Sequence, residues 1–107
     1  MTNYRPDKWM LIEITGTDPH YRIFGTWYEG NPYNPDDWRL NSGITGVEET
    51  DNKFIFKSYS GSTYECDKDS YGVTTYGQGM LKSWSRQTKH FTPLEMPDNI
   101  TEINWRL

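Results

Sequence analysis

Lys8-Trp9-Met10-Leu11-Ile12-Glu13-Ile14-Thr15, Gly16-Thr17-Asp18-Pro19-His20 and Tyr21-Arg22-Ile23-Phe24-Gly25-Thr26-Trp27-Tyr28 follow one another without a break, and the fold turns on them. In the first run Met10, Ile12 and Ile14 share one phase, while Trp9, Leu11, Glu13 and Thr15 share the other. In the last run Tyr21, Ile23, Gly25 and Trp27 fall in one phase. Successive side chains of a strand leave opposite sides of a pleated backbone, so alternation with period two marks both runs as strands. The five residues between them carry turn chemistry at nearly every position, which makes the pair a hairpin.

The pattern continues downstream. Residues 38–50 read as one long, bent strand, with Trp38, Leu40 and Ser42 in phase and Gly43 and Gly46 as natural places for a bulge. Asp51-Asn52 makes a tight turn, residues 53–60 and 63–67 are further strands, and Ser60-Gly61-Ser62 turns the chain between them. One helix follows. Thr74 or Thr75 can cap it, and Tyr76, Met80, Leu81 and Trp84 recur at helical spacing. Its apolar stripe needs a partner, and a face of the sheet is available. Residues 91–96 return to an extended form in which Pro93 confines any pairing to an edge. The expected fold is α+β: one domain over residues 1–107, an antiparallel meander of five or six twisted strands with one short helix packed on a face.

Composition agrees. Seventeen of 107 residues are Trp, Tyr or Phe, and none is Ala, so the chain lacks the best helix former and is rich in residues that suit a pleated surface. So many rings promise more aromatic area than one small core hides, and exposed rings serve contacts. A homodimer would cover that surplus. Fifteen acidic against 11 basic residues, scattered along the chain, argue against a nucleic-acid backbone as partner, which needs a clustered basic face. Cys66 is alone, so no intramolecular disulfide forms, which suits a reducing compartment. The first residues hold no apolar leader and no run reaches membrane-spanning length, so a cytoplasmic protein without a membrane partner is expected.

Several stretches carry a resemblance: Asn3-Tyr4-Arg5-Pro6-Asp7-Lys8-Trp9, Asp37-Trp38-Arg39-Leu40-Asn41-Ser42-Gly43-Ile44, Tyr59-Ser60-Gly61-Ser62-Thr63-Tyr64-Glu65-Cys66, Tyr71-Gly72, Tyr76-Gly77, Glu95-Met96-Pro97 and Asn104-Trp105. Together they resemble a family of small cyanophage and marine-phage proteins to which no activity is assigned, over nearly the whole chain. The resemblance implies a viral protein expressed in a bacterial cytoplasm and transfers no functional residue.

Three readings of function follow from the residues. The 28–38 loop combines rings with Asn, Asp, Pro and Gly. With Trp27, Tyr28, Tyr33, Asp36, Trp38 and Arg39 it is the leading contact surface for a non-enzymatic module that binds a host macromolecule. The same loop could instead fold over its own aromatics and cap the sheet. Gly77-Gln78-Gly79 at the helix start, beside Tyr76, offers a second reading as an anchor for a nucleotide-like small molecule. Tight helix-to-sheet packing would need small residues at the same places. His20 or His90 could serve a small hydrolase: His20 with Glu48 or Glu49 and Arg22 or Arg39 meeting across the sheet, or either histidine with Cys66 as a thiol nucleophile. Asn31, Asn34, Asp36 and Asp37 do not match calcium-loop spacing, so neither a metal nor a cofactor is expected.

Overall fold

The computed structural model describes residues 3–16, 18–27, 38–87, 90–96, 100 and 105, with 75 and 76 in backbone only. Among them are eight strands and one α-helix: β1 (Asn3–Tyr4), β2 (Lys8–Ile14), β3 (His20–Thr26), β4 (Trp38–Leu40), β5 (Ile44–Glu49), β6 (Lys53–Ser58), β7 (Thr63–Asp67), α1 (Thr75–Gln87) and β8 (Phe91–Pro93). They form two four-stranded sheets, a central one in the order β4-β3-β2-β8 and an outer one in the order β1-β7-β6-β5. The fold is a mostly-sheet α+β arrangement. The single meander of five or six strands is corrected: each expected hairpin exists, but the hairpins are divided between two sheets.

The opening hairpin pairs from Lys8↔Thr26 to Ile14↔His20, and its two phases explain the layers. Trp9, Leu11, Ile23 and Trp27 face the outer sheet and build a core there with Tyr4, Ile44, Phe54, Phe56, Tyr64 and Cys66. Ile12 and Phe24 face the other way and pack with Leu81 of α1, flanked by Met10, Ile14, Trp38, Met80, Trp84 and Phe91. The central sheet is therefore covered on both faces. There are two cores rather than one, and among the described residues every ring but that of Tyr59 is buried or half-buried. Tyr59 is the one large hydrophobic side chain among the described residues that stays in solvent, at 82% exposure.

Rings fill space that aliphatic side chains hold in most cores. Trp84 stands edge-on to Trp38 at 4.9 Å, Phe91 at 5.2 Å and Phe24 at 5.3 Å. Trp9 does the same to Tyr71 at 4.9 Å. Each such pair adds about 0.5–1.5 kcal/mol beyond the area it buries. The Tyr71 hydroxyl also accepts from Leu11 N–H (3.1 Å) and donates to Leu94 O, which ties the segment after β8 to β2.

The helix starts where its cap was expected. Thr74 Oγ1 accepts from Gly77 N–H at 3.2 Å. Thr74 N–H in turn donates to Oγ1 of buried Thr26, whose hydroxyl donates to Lys8 O. One side chain of the central sheet thus fixes the helix entry. Pro93 sits on edge strand β8, as its missing N–H requires.

Candidate functional site

The two sheets meet where the chain leaves one for the other, between Leu40 of β4 and Ile44 of β5. Asn41 makes the passage. It is buried, its N–H donates to Ile23 O (3.0 Å), and its Oδ1 accepts from Ile23 N–H (2.7 Å). Its Nδ2 donates to Ser58 Oγ (3.0 Å) in the outer sheet. One amide thus extends the β3 ladder past the end of β4 and fastens the sheets together. Gly43 then takes φ +132°, a value that side-chain-bearing residues rarely adopt, and lets the strand turn into β5. The first residues of β5 carry the bulge expected there, with the register shifting between Ile44 and Gly46.

The same crossing anchors the turn after β6. Ser42 Oγ accepts from Ser60 N–H (2.9 Å) and Gly43 O accepts from Tyr59 N–H (2.8 Å). The Tyr59 backbone is held in place while its ring projects into solvent.

An open groove of about 660 Å³ lies at this junction. Thr45 of β5 and Tyr59 of the turn after β6 line it from one side, Asp18, His20 and Arg22 from the turn and first residues of β3, and buried Trp105 contributes to its wall. His20 and Arg22, two apart on a strand, leave the same side of it. His20 Nδ1 bonds Asp18 O at 2.7 Å, and Arg22 Nε donates to His20 Nε2 at 2.8 Å. The two bonds together require the neutral tautomer with hydrogen on Nδ1, since a carbonyl only accepts and Nε–H only donates. Asp18 and Arg22 are the charged side chains of the lining among the described residues.

The residues singled out from sequence fall in different places. Trp27 is 1% exposed, donates from Nε1 to Arg5 O (2.9 Å), and stacks edge-on to Tyr4, so it is a core ring. Trp38 is half-buried between Phe24 and Trp84. Arg39 is exposed, with its guanidinium 4.6 Å from the centre of the Tyr4 ring. Tyr28, Tyr33 and Asp36 lie outside the described residues, as do Asn31, Asn34, Asp37 and the Tyr76 side chain. Gly77 packs tightly: a Cβ there would come within 2.4 Å of Thr26 Cγ2 and 3.3 Å of Phe24 Cε2. Gly79 faces open space, with nothing within 4 Å of such an atom. The two glycines therefore do not form one cradle, and the Gly77 N–H is already taken by the Thr74 cap.

His20 and Arg22 do meet, but Glu48 pairs with Lys57 (3.1 Å) and Glu49 with Lys68 on the outer sheet. Both nitrogens of His20 are occupied, which leaves no free lone pair for a general base. His90 Nδ1 lies 3.5 Å from Thr15 Oγ1 on the other side of the hairpin turn. Cys66 is fully buried, and burial pushes its thiol well above the ordinary range, so it is a small core residue and a poor nucleophile. No group of three or more His, Cys, Asp or Glu is placed to hold a metal among the described residues. Among the same residues no helix is long and apolar enough to cross a membrane.

Sequence reasoning noticed Arg22 only as a spare cation and passed over Tyr59. The available signal was phase: Tyr59 is out of step with Phe54 and Phe56, on the solvent side just before a Ser-Gly-Ser turn. Comparisons with protein-family models, with curated proteins and with solved structures found no match.

Proposed function

We propose that this protein is a non-enzymatic binding protein that holds a small ligand in the groove at the junction of its two sheets. The observation that carries the reading is Tyr59, 82% exposed on the lip of a concavity that also presents the oriented His20–Arg22 pair. The volume, about 660 Å³, lies within the roughly 300–1,000 Å³ of ordinary ligand clefts. A ring kept in solvent, while sixteen others are available to fill cores, has a use there that burial would remove.

Within the phage resemblance this is an accessory factor that sequesters a host metabolite by contact alone. It keeps the small-molecule reading and moves it from the helix start to the sheet junction. Of the 28–38 loop, proposed from sequence to bind a host macromolecule, only Trp38 is among the described residues, and it packs against Phe24 and Trp84.

The test is native mass spectrometry of protein purified gently from a bacterial lysate. Wild type is expected to carry extra mass that denaturation removes and that the Tyr59→Ala variant lacks. Retention of the same mass by Tyr59→Ala, or a folded wild type that carries none, overturns the reading.

A further inference from the structure

The two charged side chains that line the groove among the described residues narrow the ligand class, on the reading that the groove is the binding site. Arg22 lines it with one of its nitrogens committed: Nε donates to His20 Nε2. A guanidinium offers a side-on pair of donors, Nε with one terminal nitrogen, and an end-on pair, the two terminal nitrogens. His20 uses up the side-on pair and fixes the plane of the group. The end-on pair makes no hydrogen bond or ion pair with a described residue. An oriented, half-buried fork of this kind is complementary to two oxygens of one anionic group.

Two hydroxyls nearby are held in place by the backbone. Ser42 Oγ receives Ser60 N–H, and Thr45 Oγ1 donates to Lys57 O. The apolar part of the lining is the exposed ring of Tyr59 with the buried side chains of Trp105 and Ile44. Asp18 stands on the rim with the opposite charge, which counts against a polyanion and suits a ligand with a single negative group. We infer that the groove binds a ligand with one anionic group, a carboxylate or phosphate monoester, on a flat apolar body. The anion sits on the terminal nitrogens of Arg22 and the body on Tyr59.

Solution NMR titration tests this with three simple probes: phenyl phosphate, phenylacetate and the neutral benzamide. Both anions should move the amide signals of Gly43, Thr45 and Tyr59 and the indole N–H of Trp105, which is buried without a protein partner among the described residues. Phenyl phosphate against phenylacetate decides between the two anion types. Benzamide should bind at least tenfold more weakly. Arg22→Gln should lower affinity for the anions tenfold or more and leave benzamide unchanged, while Asp18→Asn should raise affinity for the anions a few-fold. Equal binding of benzamide and the anions, or indifference to Arg22→Gln, overturns the anion assignment and keeps the groove. If no probe moves groove signals while the variants retain the wild-type fold by their spectra, the groove itself is not the site and both readings fall.

Discussion

Gly77 and Gly79 are two residues apart on one helix, and the structure gives replacement by Ala opposite signs at the two sites. Ala in place of Gly in a helix interior is worth roughly 0.5–1 kcal/mol. At Gly79, exposed and with nothing within 4 Å of the new methyl, that gain should appear undiminished. At Gly77 the methyl would come within 2.4 Å of Thr26 Cγ2, far inside the ~3.5–4.0 Å carbon contact distance. Thr26 cannot rotate away cheaply, because it is fully buried and its hydroxyl joins Lys8 O to Thr74 N–H. Overpacking of this kind costs about 1–3 kcal/mol, so after the helix gain Gly77→Ala should lose about 1–2 kcal/mol. Urea unfolding followed by tryptophan fluorescence reads both. A second variant makes the test specific. Thr26→Ser removes the offending methyl and keeps the hydroxyl; alone it should cost about 1 kcal/mol, but in the Gly77→Ala background it should restore stability. If Gly77→Ala and Gly79→Ala stabilise equally, the helix does not lie on Thr26 and the packing described here is wrong.

Other expectations follow from the same contacts. Asn41→Leu leaves Ile23 N–H and the Ser58 hydroxyl without their buried partner and should destabilise by about 2–4 kcal/mol in urea, whereas exposed Asn52→Ala should be near neutral. Tyr71→Phe keeps the ring against Trp9 but removes the hydroxyl between Leu11 N–H and Leu94 O, for a loss of about 1–3 kcal/mol and faster amide exchange at Leu11. The Asn3 amide on Glu65, with Arg5 and Lys53 nearby, holds the Glu65 carboxyl below the usual glutamate range. A lowered folded value means stability that is present above the unfolded glutamate value and lost as pH falls through the folded one. Stability should therefore decline on acidification, and Glu65→Gln should flatten part of that decline. Sedimentation equilibrium should report a monomer, because the described rings other than Tyr59 are buried or half-buried in the two cores.

The local parts of the fold were legible. The hairpin follows from the alternation in residues 8–28, although His20, expected in the turn, opens β3 opposite Ile14; the bulge follows from Gly43 and Gly46, the helix start from Thr74, and the edge position of β8 from Pro93. What escaped is non-local. Residues 38–50 keep a strand-like code throughout, so nothing in their alternation tells that Trp38–Leu40 pairs with β3 while Ile44–Glu49 pairs with β6. The signs of the break are the buried amide of Asn41 and the φ of Gly43, and both become visible only with their partners in place. Likewise, β1 is two residues long and pairs in parallel with β7, some sixty residues away, which no local pattern announces. Composition counted the rings correctly but could not count the cores. For that reason Trp27 and Trp38 read as contact residues and are packed inside or between layers, whereas Tyr59 read as an ordinary strand residue and stands in solvent.

If Tyr59 and Arg22 together receive a small molecule, nitration of tyrosine registers its arrival. Tetranitromethane should modify Tyr59 rapidly, as its exposure dictates. Adding the dialysable fraction of a bacterial lysate should slow that reaction in wild type and leave it unchanged in Arg22→Gln, read residue by residue after proteolysis. A Tyr59 nitration rate indifferent to the dialysate, or slowed equally in both proteins, would contradict the account.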